Sequence, residues 1–255
     1  FLFEMTKSKD NYTDYVYDKS AINQYINYQN KHRLNIRDSD KKLIKILKQN
    51  INASDKLNIL DVGCSTGNLL YFLKEEFKNS ILEGCDLSQE SIEKCKNDDQ
   101  LSGINFSVKD MLDLQIDSQY DVLIANAVAV YLDWDQYLKS LKSIFKALKP
   151  NGIFIAFEWI HPFDVQDIKI VETSKKNPDG LTIYFRPEKK VKNYGTLAGF
   201  KEMRFNPFSI SKELPCQGYS EDVFTYTRKE DSGNFMSFRG ALYQPWCHLV
   251  AKKII

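Results

Sequence analysis

Between residues 57 and 157 the chain alternates short, continuous apolar runs with amphipathic segments, and this alternation leaves few architectures open. The runs at 57–62, 81–85, 104–108, 120–126 and 153–157 read as buried strands. The segments at 68–77, at 89–97 behind Ser88, and at 134–148 carry apolar residues at helical spacing. In the last of these, Leu138, Leu141, Ile144, Phe145 and Leu148 share one face, and Pro150-Asn151-Gly152 ends it. Strands that are apolar at every position are buried on both faces. The pattern therefore predicts an α/β fold with a parallel, doubly wound sheet covered by helices.

Flanking regions are less regular. Residues 38–50 place Leu43, Ile44 and Leu47 at helical spacing, with Asp38 or Ser39 as the expected N-cap. Upstream, Tyr12, Tyr15, Tyr17, Tyr25 and Tyr28 follow a weakly helical pattern. Downstream, a helix is expected over 188–197, ending at Ala198-Gly199, then longer strands at 200–210 and 241–252 around a polar insertion. One domain spanning 1–255 accommodates all of this, as an N-terminal helical cap (1–50), a central core (51–160) and a C-terminal part (161–255).

Composition narrows the partners. Lys and Arg number 35 against 34 Asp and Glu, a net charge of +1 that argues against a nucleic-acid binder. The uncharged apolar stretch 122–132 is too short to span a bilayer. The chain opens Phe1-Leu2-Phe3-Glu4 with no basic segment ahead of an apolar one, so no secretory signal is read, and the missing initiator Met points to a trimmed start. The five cysteines form no CxxC pair, which argues against structural zinc or a disulfide framework and for a reduced, cytoplasmic protein without a metal.

The chemistry concentrates at Leu60-Asp61-Val62-Gly63-Cys64-Ser65-Thr66-Gly67-Asn68, where the first strand turns into the first helix. In an open parallel sheet this turn lies at the carboxyl edge, where ligands bind. Gly63 and Gly67 permit close backbone approach and sharp turning, and Asp86 ends the second strand where such folds present an acid to ribose. A dinucleotide fingerprint needs glycines at offsets 0, 2 and 5; Gly63, Ser65 and Asn68 satisfy only the first, which disfavours NAD.

ILDVGCSTGNLLYFL (59–73) followed by EGCDLSQESIEKCK (83–96) closely resembles motifs I and II of the class I S-adenosylmethionine (SAM)-dependent methyltransferases. FSVKDMLDL (106–114) resembles their third-strand acidic motif, and residues 120–156 resemble the fourth strand through the LKPNG turn. The resemblance implies a Rossmann-like seven-stranded sheet with its last strand antiparallel. It also implies SAM as cofactor and S-adenosylhomocysteine as product. On that basis Asp61, Gly63, Cys64, Ser65 and Gly67 would hold the methionine end, Asp86 the ribose, Leu87, Asp110 and Met111 the adenine, and Asn126 would face the reacting centre. Ser65 stands where the motif often has its middle glycine.

The acceptor is less defined. His161, in a His-Pro-Phe sequence after the fifth strand, is the candidate base or substrate ligand, with Tyr131 as a second candidate catalytic group. His248, flanked by Cys247 and Leu249, reads as core. Tyr15 and Tyr17 are candidates to close over the substrate. Of six arginines none lies from 38 to 185 and four lie beyond, so Arg228 and Arg239 are candidates to hold an anionic group. The resulting expectation is O-methylation of a small polar, anionic metabolite, sugar or cell-surface polysaccharide precursor by a monomer or homodimer. N-methylation of a small molecule and SAM binding without turnover are the alternatives. Asn126-Ala127-Val128-Ala129 lacks the Pro-Pro-aromatic signature of base methylation. The Lys- and Asn-rich, Arg-poor composition is that of an AT-rich bacterial genome.

Overall fold

The structure, a computed structural model, describes residue 29 and residues 33–162, 167–173, 180–211, 225–239 and 246–254. Its first helix, α1 (Asp38–Asn50), buries Leu43, Ile44, Ile46 and Leu47 along one stripe. Neither Asp38 nor Ser39 is its N-cap. Arg37 takes that position without a side-chain cap bond, and Asp38 and Asp40 fall in the first turn, where carboxylates complement the helix dipole.

The alternating segment folds as β1 (Asn58–Val62), α2 (Asn68–Glu76), β2 (Ile81–Asp86), α3 (Gln89–Lys96), β3 (Asn105–Val108), β4 (Tyr120–Asn126), α4 (Trp134–Ala147) and β5 (Leu148–His161). Ser88 caps α3 by accepting from Ser91 N, and Asp133 with Gln136 forms a capping box at α4. The chain continues through β6 (Ile168–Glu172), β7 (Leu181–Pro187), α5 (Glu188–Ala198), β8 (Glu202–Pro207), β9 (Ser209–Ile210), β10 (Thr225–Lys229), β11 (Phe235–Arg239) and β12 (Trp246–Lys252).

Strand order along the main sheet is β3-β2-β1-β4-β5-β12-β8. β1 to β5 run parallel and β12 runs antiparallel to both neighbours, as the resemblance implies. Two features exceed the expected seven strands. β7 pairs in parallel with Ile160 and His161 at the end of β5 and carries β6 beside it. A separate three-stranded sheet, β10-β11-β9, forms from the C-terminal insertion. The strand expected over 200–210 splits at Phe208, whose N–H donates to Trp246 O while the chain passes from one sheet to the other.

Each face of the sheet has its own core. Leu43, Leu47, Ile59, Leu70, Leu73 and Ile92 pack on the face covered by α1, α2 and α3. Leu123, Tyr137, Leu141, Ile144, Phe154 and Val191 pack on the face covered by α4 and α5. The turn that stops α4 is absorbed into β5. Pairing begins at Tyr120↔Leu148 and resumes, after an irregularity, at Val122↔Ile153. Buried Lys253 donates to the carbonyls of Phe145 and Leu148, a cation on the last turn of α4. Among the described residues no helix is long and apolar enough to cross a membrane.

Candidate functional site

Three left-handed residues shape the β1–α2 turn: Gly63 (φ +72°), Ser65 (φ +50°) and Gly67 (φ +69°). At Gly63 only glycine fits, because an added Cβ would lie 2.5 Å from Val128 Cγ2. Ser65 adopts a conformation that costs an L-residue roughly 1 kcal/mol, which accounts for the glycine common there in the family. Both Gly63 N and Cys64 N donate to Cys85 O at 2.7 and 3.0 Å, which anchors the turn on β2. The Asp86 carboxylate completes the anchor, accepting from Ser65 N and Ser88 N at 2.9 Å each. Burial raises the pKa of Asp86, and the N–H groups of Ser88, Ser65 and Leu87 draw it back.

Asp61 is buried, and its Oδ1 has no hydrogen-bond partner among the described residues. Burial pushes its carboxyl well above the usual range; Asp40 and Asp86 add to the rise and Arg37 opposes it. A buried carboxylate left open at a sheet edge calls for a cationic or donor group from beyond the described residues. The start of α1 stands over it. Arg37 holds buried Asp40 through Nε (2.8 Å) and Nη2 (3.2 Å), and Asp40 also accepts from Asn126 Nδ2 at 2.8 Å. Arg33 clasps the same turn from upstream, donating to Thr66 O at 2.7 Å and Asn68 Oδ1 at 3.2 Å and pairing with Asp98.

Beyond β4 the edge is aromatic. Rings of Phe185, Trp159, Trp246, Phe157 and His248 follow one another at centroid spacings of 4.7, 4.2, 4.5 and 4.5 Å. Phe208 and Ile210 cover this row from the small sheet. His161 ends β5, is buried, and pairs with Pro187. On the opposite face Glu158, Arg186 and Tyr137 form a fully buried polar cluster. Burial pushes Glu158 up to about 7, while Arg186 and the Tyr137 hydroxyl pull it down. His248 is buried, and burial pushes its pKa down to about 4 against the opposing pull of the Ser39 backbone.

Residues 59–152 match the family described as a methyltransferase domain. That span runs from β1 through the α4–β5 turn and contains the anchored loop, Asp86 and Asn126. The matched span is a methyltransferase domain, and it supports a class I SAM-dependent methyltransferase. Among its relatives is a carboxy-S-adenosyl-L-methionine synthase from Campylobacter curvus, 28% identical over 189 residues that make up 72% of this chain and 76% of the relative. A malonyl-[acyl-carrier protein] O-methyltransferase from Priestia megaterium is 28% identical over 191 residues, covering 71% and 68%. Among solved structures, a SAM-dependent methyltransferase from Methanosarcina mazei superposes with a TM-score of 0.58 at 18% identity, covering 82% of this chain and 97% of that one. Burkholderia thailandensis 1,6-didemethyltoxoflavin-N1-methyltransferase, solved with S-adenosylhomocysteine, gives 0.57 at 13% identity over 92% and 87%.

Within this domain the structure brings Asp61, Gly63, Ser65, Gly67, Asp86 and Asn126 together at the carboxyl edge of β1, β2 and β4. Leu87 follows Asp86, half-buried, and half-buried Asp110 accepts from Leu112 N at 2.8 Å beyond β3. Cys64 and Met111 differ from the rest, since both side chains pack into hydrophobic core. Tyr131 is half-buried and packs against the cluster of Val130, Trp159, Ile183 and Phe185. Arg228 is exposed on β10, and Arg239 lies on β11 opposite Thr225. Tyr15 and Tyr17 lie outside the described residues. Arg37, Asp40 and Arg186 were not singled out from sequence as parts of the site. The one signal for the first two was the acidic first turn of α1.

Proposed function

We propose that this methyltransferase transfers the methyl group of SAM to an oxygen of a small polar, anionic acceptor. The observation that carries the cofactor half of this reading is the open, buried Asp61 carboxylate beside the left-handed Gly63–Gly67 turn. The residues present fit the cofactor. Asp61 would meet its ammonium group, Arg37 its carboxylate, Asp86 the ribose, and Leu87 with Asp110 the adenine. When bound, SAM supplies an already activated methyl group, so the chain's task is alignment and exclusion of water.

The acceptor would lie over the ends of β4, β5 and β7, beneath the small sheet. There His161 would accept a proton from a hydroxyl nucleophile; a carboxylate nucleophile needs no base near neutral pH. Arg228 and Arg239, on the two strands of one hairpin, would supply positive charge from the rim. The malonyl-[acyl-carrier protein] O-methyltransferase among the relatives supports an oxygen acceptor. Similarity to carboxy-S-adenosyl-L-methionine synthases over a comparable span favours a second reading, in which the cofactor itself is the product's scaffold.

Calorimetric titration with S-adenosylhomocysteine and NADH tests the cofactor half. Binding of the former alone is expected, and binding of NADH alone overturns the reading. Mass spectrometry of SAM after incubation with the chain and candidate acceptors then separates the two reactions. Loss of a methyl group supports transfer, and gain of a carboxyl group supports the second reading.

A further inference from the structure

The fully buried cluster of Glu158, Arg186 and Tyr137 is assembled at unusual cost. Arg186 Nη1 lies 3.7 Å from Glu158 Oε2, within ion-pair range but beyond a good hydrogen bond. The Tyr137 hydroxyl meets the Glu158 carboxyl, whereas Arg186 Nε and Nη1 have no hydrogen-bond partner among the described residues. The guanidinium stacks over Tyr137 at 4.3 Å, with Trp134 and Tyr184 at 5.3 and 5.5 Å. Buried ion pairs of this kind add little stability relative to an apolar pair of similar volume.

The hydrogen bond that Arg186 does make points to another role: its Nη2 donates to Leu132 O. Leu132 ends the turn that runs from Asn126 through Ala129–Tyr131 to the cap of α4. That turn contains Ala127 at φ +60°, a conformation costing roughly 1 kcal/mol that must be held from outside. It also carries Val128, which packs directly on Gly63, and Tyr131. Ala127 N donates to Phe157 O at 2.8 Å at one end, and Arg186 grips the other.

We propose that Arg186, held by ionised Glu158, is a positioning residue that clamps the 127–132 turn and so sets Val128 against the cofactor loop. This rests on the reading of that loop as the SAM site. The groups facing Glu158 are Arg186 from β7, Tyr137 from α4 and Cys247 directly across on β12, with Glu188 of α5 beside Cys247. Burial lifts Glu158 to about 7, so its ionised, clamping form dominates above neutrality. A folded pKa above the ordinary 4.5 means that the folded chain binds more protons between about 4.5 and 7. The contribution of Glu158 to stability is therefore fully present below 4.5 and is lost as pH rises through 7. Stability and clamping respond to pH in opposite directions, which a merely structural pair would not show.

The double variant Glu158→Leu/Arg186→Met replaces the pair with apolar residues. Its melting temperature should hold or rise, while calorimetry should show S-adenosylhomocysteine affinity falling roughly tenfold. A folded double variant with unchanged affinity overturns the clamp. Should the double variant not fold, Glu158→Gln decides. Wild-type affinity should rise as pH passes upward through about 7, and the Gln variant should lose that rise; a Gln variant that keeps it overturns the clamp. Wild-type chain that fails to bind S-adenosylhomocysteine at all overturns the cofactor reading and this inference with it. Wild-type binding with unaltered variants removes the clamp alone.

Discussion

At the β1–β2 side of the carboxyl edge, one short stretch of chain does most of the positioning. Gly63 N, Cys64 N, Ser65 N and Ser88 N are all tied to Cys85 O or Asp86, residues within 25 positions of one another. At the β5–β12 side, Glu158, Arg186, Tyr137 and His248 come from four elements spread over more than 100 positions. The first side is a backbone device, held by the N–H groups of Gly63, Cys64, Ser65 and Ser88 that are satisfied locally. The second is a packing device, in which rings and buried charges hold one another in place. Damage to the first should therefore appear in cofactor binding, and damage to the aromatic packing of the second in stability or acceptor turnover, with the Arg186 clamp as the one link from the second side to the cofactor loop.

The largest expected effect separates the two cleanly. Trp159 is fully buried between Phe185 and Trp246, so Trp159→Ala should cost about 3 to 5 kcal/mol of stability. Below its lowered melting temperature, S-adenosylhomocysteine affinity should change little. Urea denaturation paired with calorimetry checks both, and a large affinity loss in a folded variant would erase the division between the sides. Gly63→Ala is the converse. A left-handed alanine and the contact with Val128 together should cost about 2 to 4 kcal/mol, and cofactor affinity should drop with it. Unchanged affinity in Gly63→Ala would mean that the turn can shift away from Val128 without consequence.

A smaller effect tests whether the buried groups of the second side are as dry as they look. The pKa of His248 lies near 4 in the folded chain against an ordinary 6.5, so between these values the unfolded chain binds more protons. Its contribution to stability is present above 6.5 and is lost as pH falls toward 4, by up to about 3 kcal/mol. This slope opposes that of Glu158 and partly masks it in the wild type. His248→Phe should flatten the acid-side loss in urea denaturation at pH 4.5 against pH 7. The same loss in the variant would show that water reaches the ring.

How much of this was legible beforehand follows the same division. Asp61, Gly63, Gly67 and Asp86 announce themselves because a strand–turn–helix unit is local, and its spacing is visible in one dimension. The antiparallel β12 came from the family resemblance, and the end of α5 at Gly199 was legible from turn chemistry. Arg37 and Asp40 were not, since their role comes from where α1 docks, 21 or more positions before the loop. Neither were β6 and β7, whose pairing depends on residues beyond the alternating core. The arginine count marked the C-terminal part as a whole and singled out Arg228 and Arg239; it could not show that burial turns Arg186 inward to Glu158 and Leu132. Arg204 likewise reaches Asn50.

With Arg186 and Arg204 engaged elsewhere, an anionic acceptor has fewer arginines to meet it. Arg228 is exposed on β10, and Arg239 stands on the paired strand β11, so this hairpin carries what remains of the C-terminal excess of arginine. Lysine keeps the charge of arginine but not its two-pronged donor geometry. Once an acceptor is in hand, Arg228→Lys or Arg239→Lys should raise its KM roughly fivefold, about one hydrogen bond's worth. The KM for SAM should stay put, because both strands belong to the small sheet and not to the sheet edge that carries Asp61 and Asp86. Unchanged acceptor KM and kcat in both variants would move the hairpin out of the acceptor site. Half-buried Trp246 and Tyr131 would then be the side chains left to select the acceptor, and a flat, uncharged molecule would suit them better than an anion.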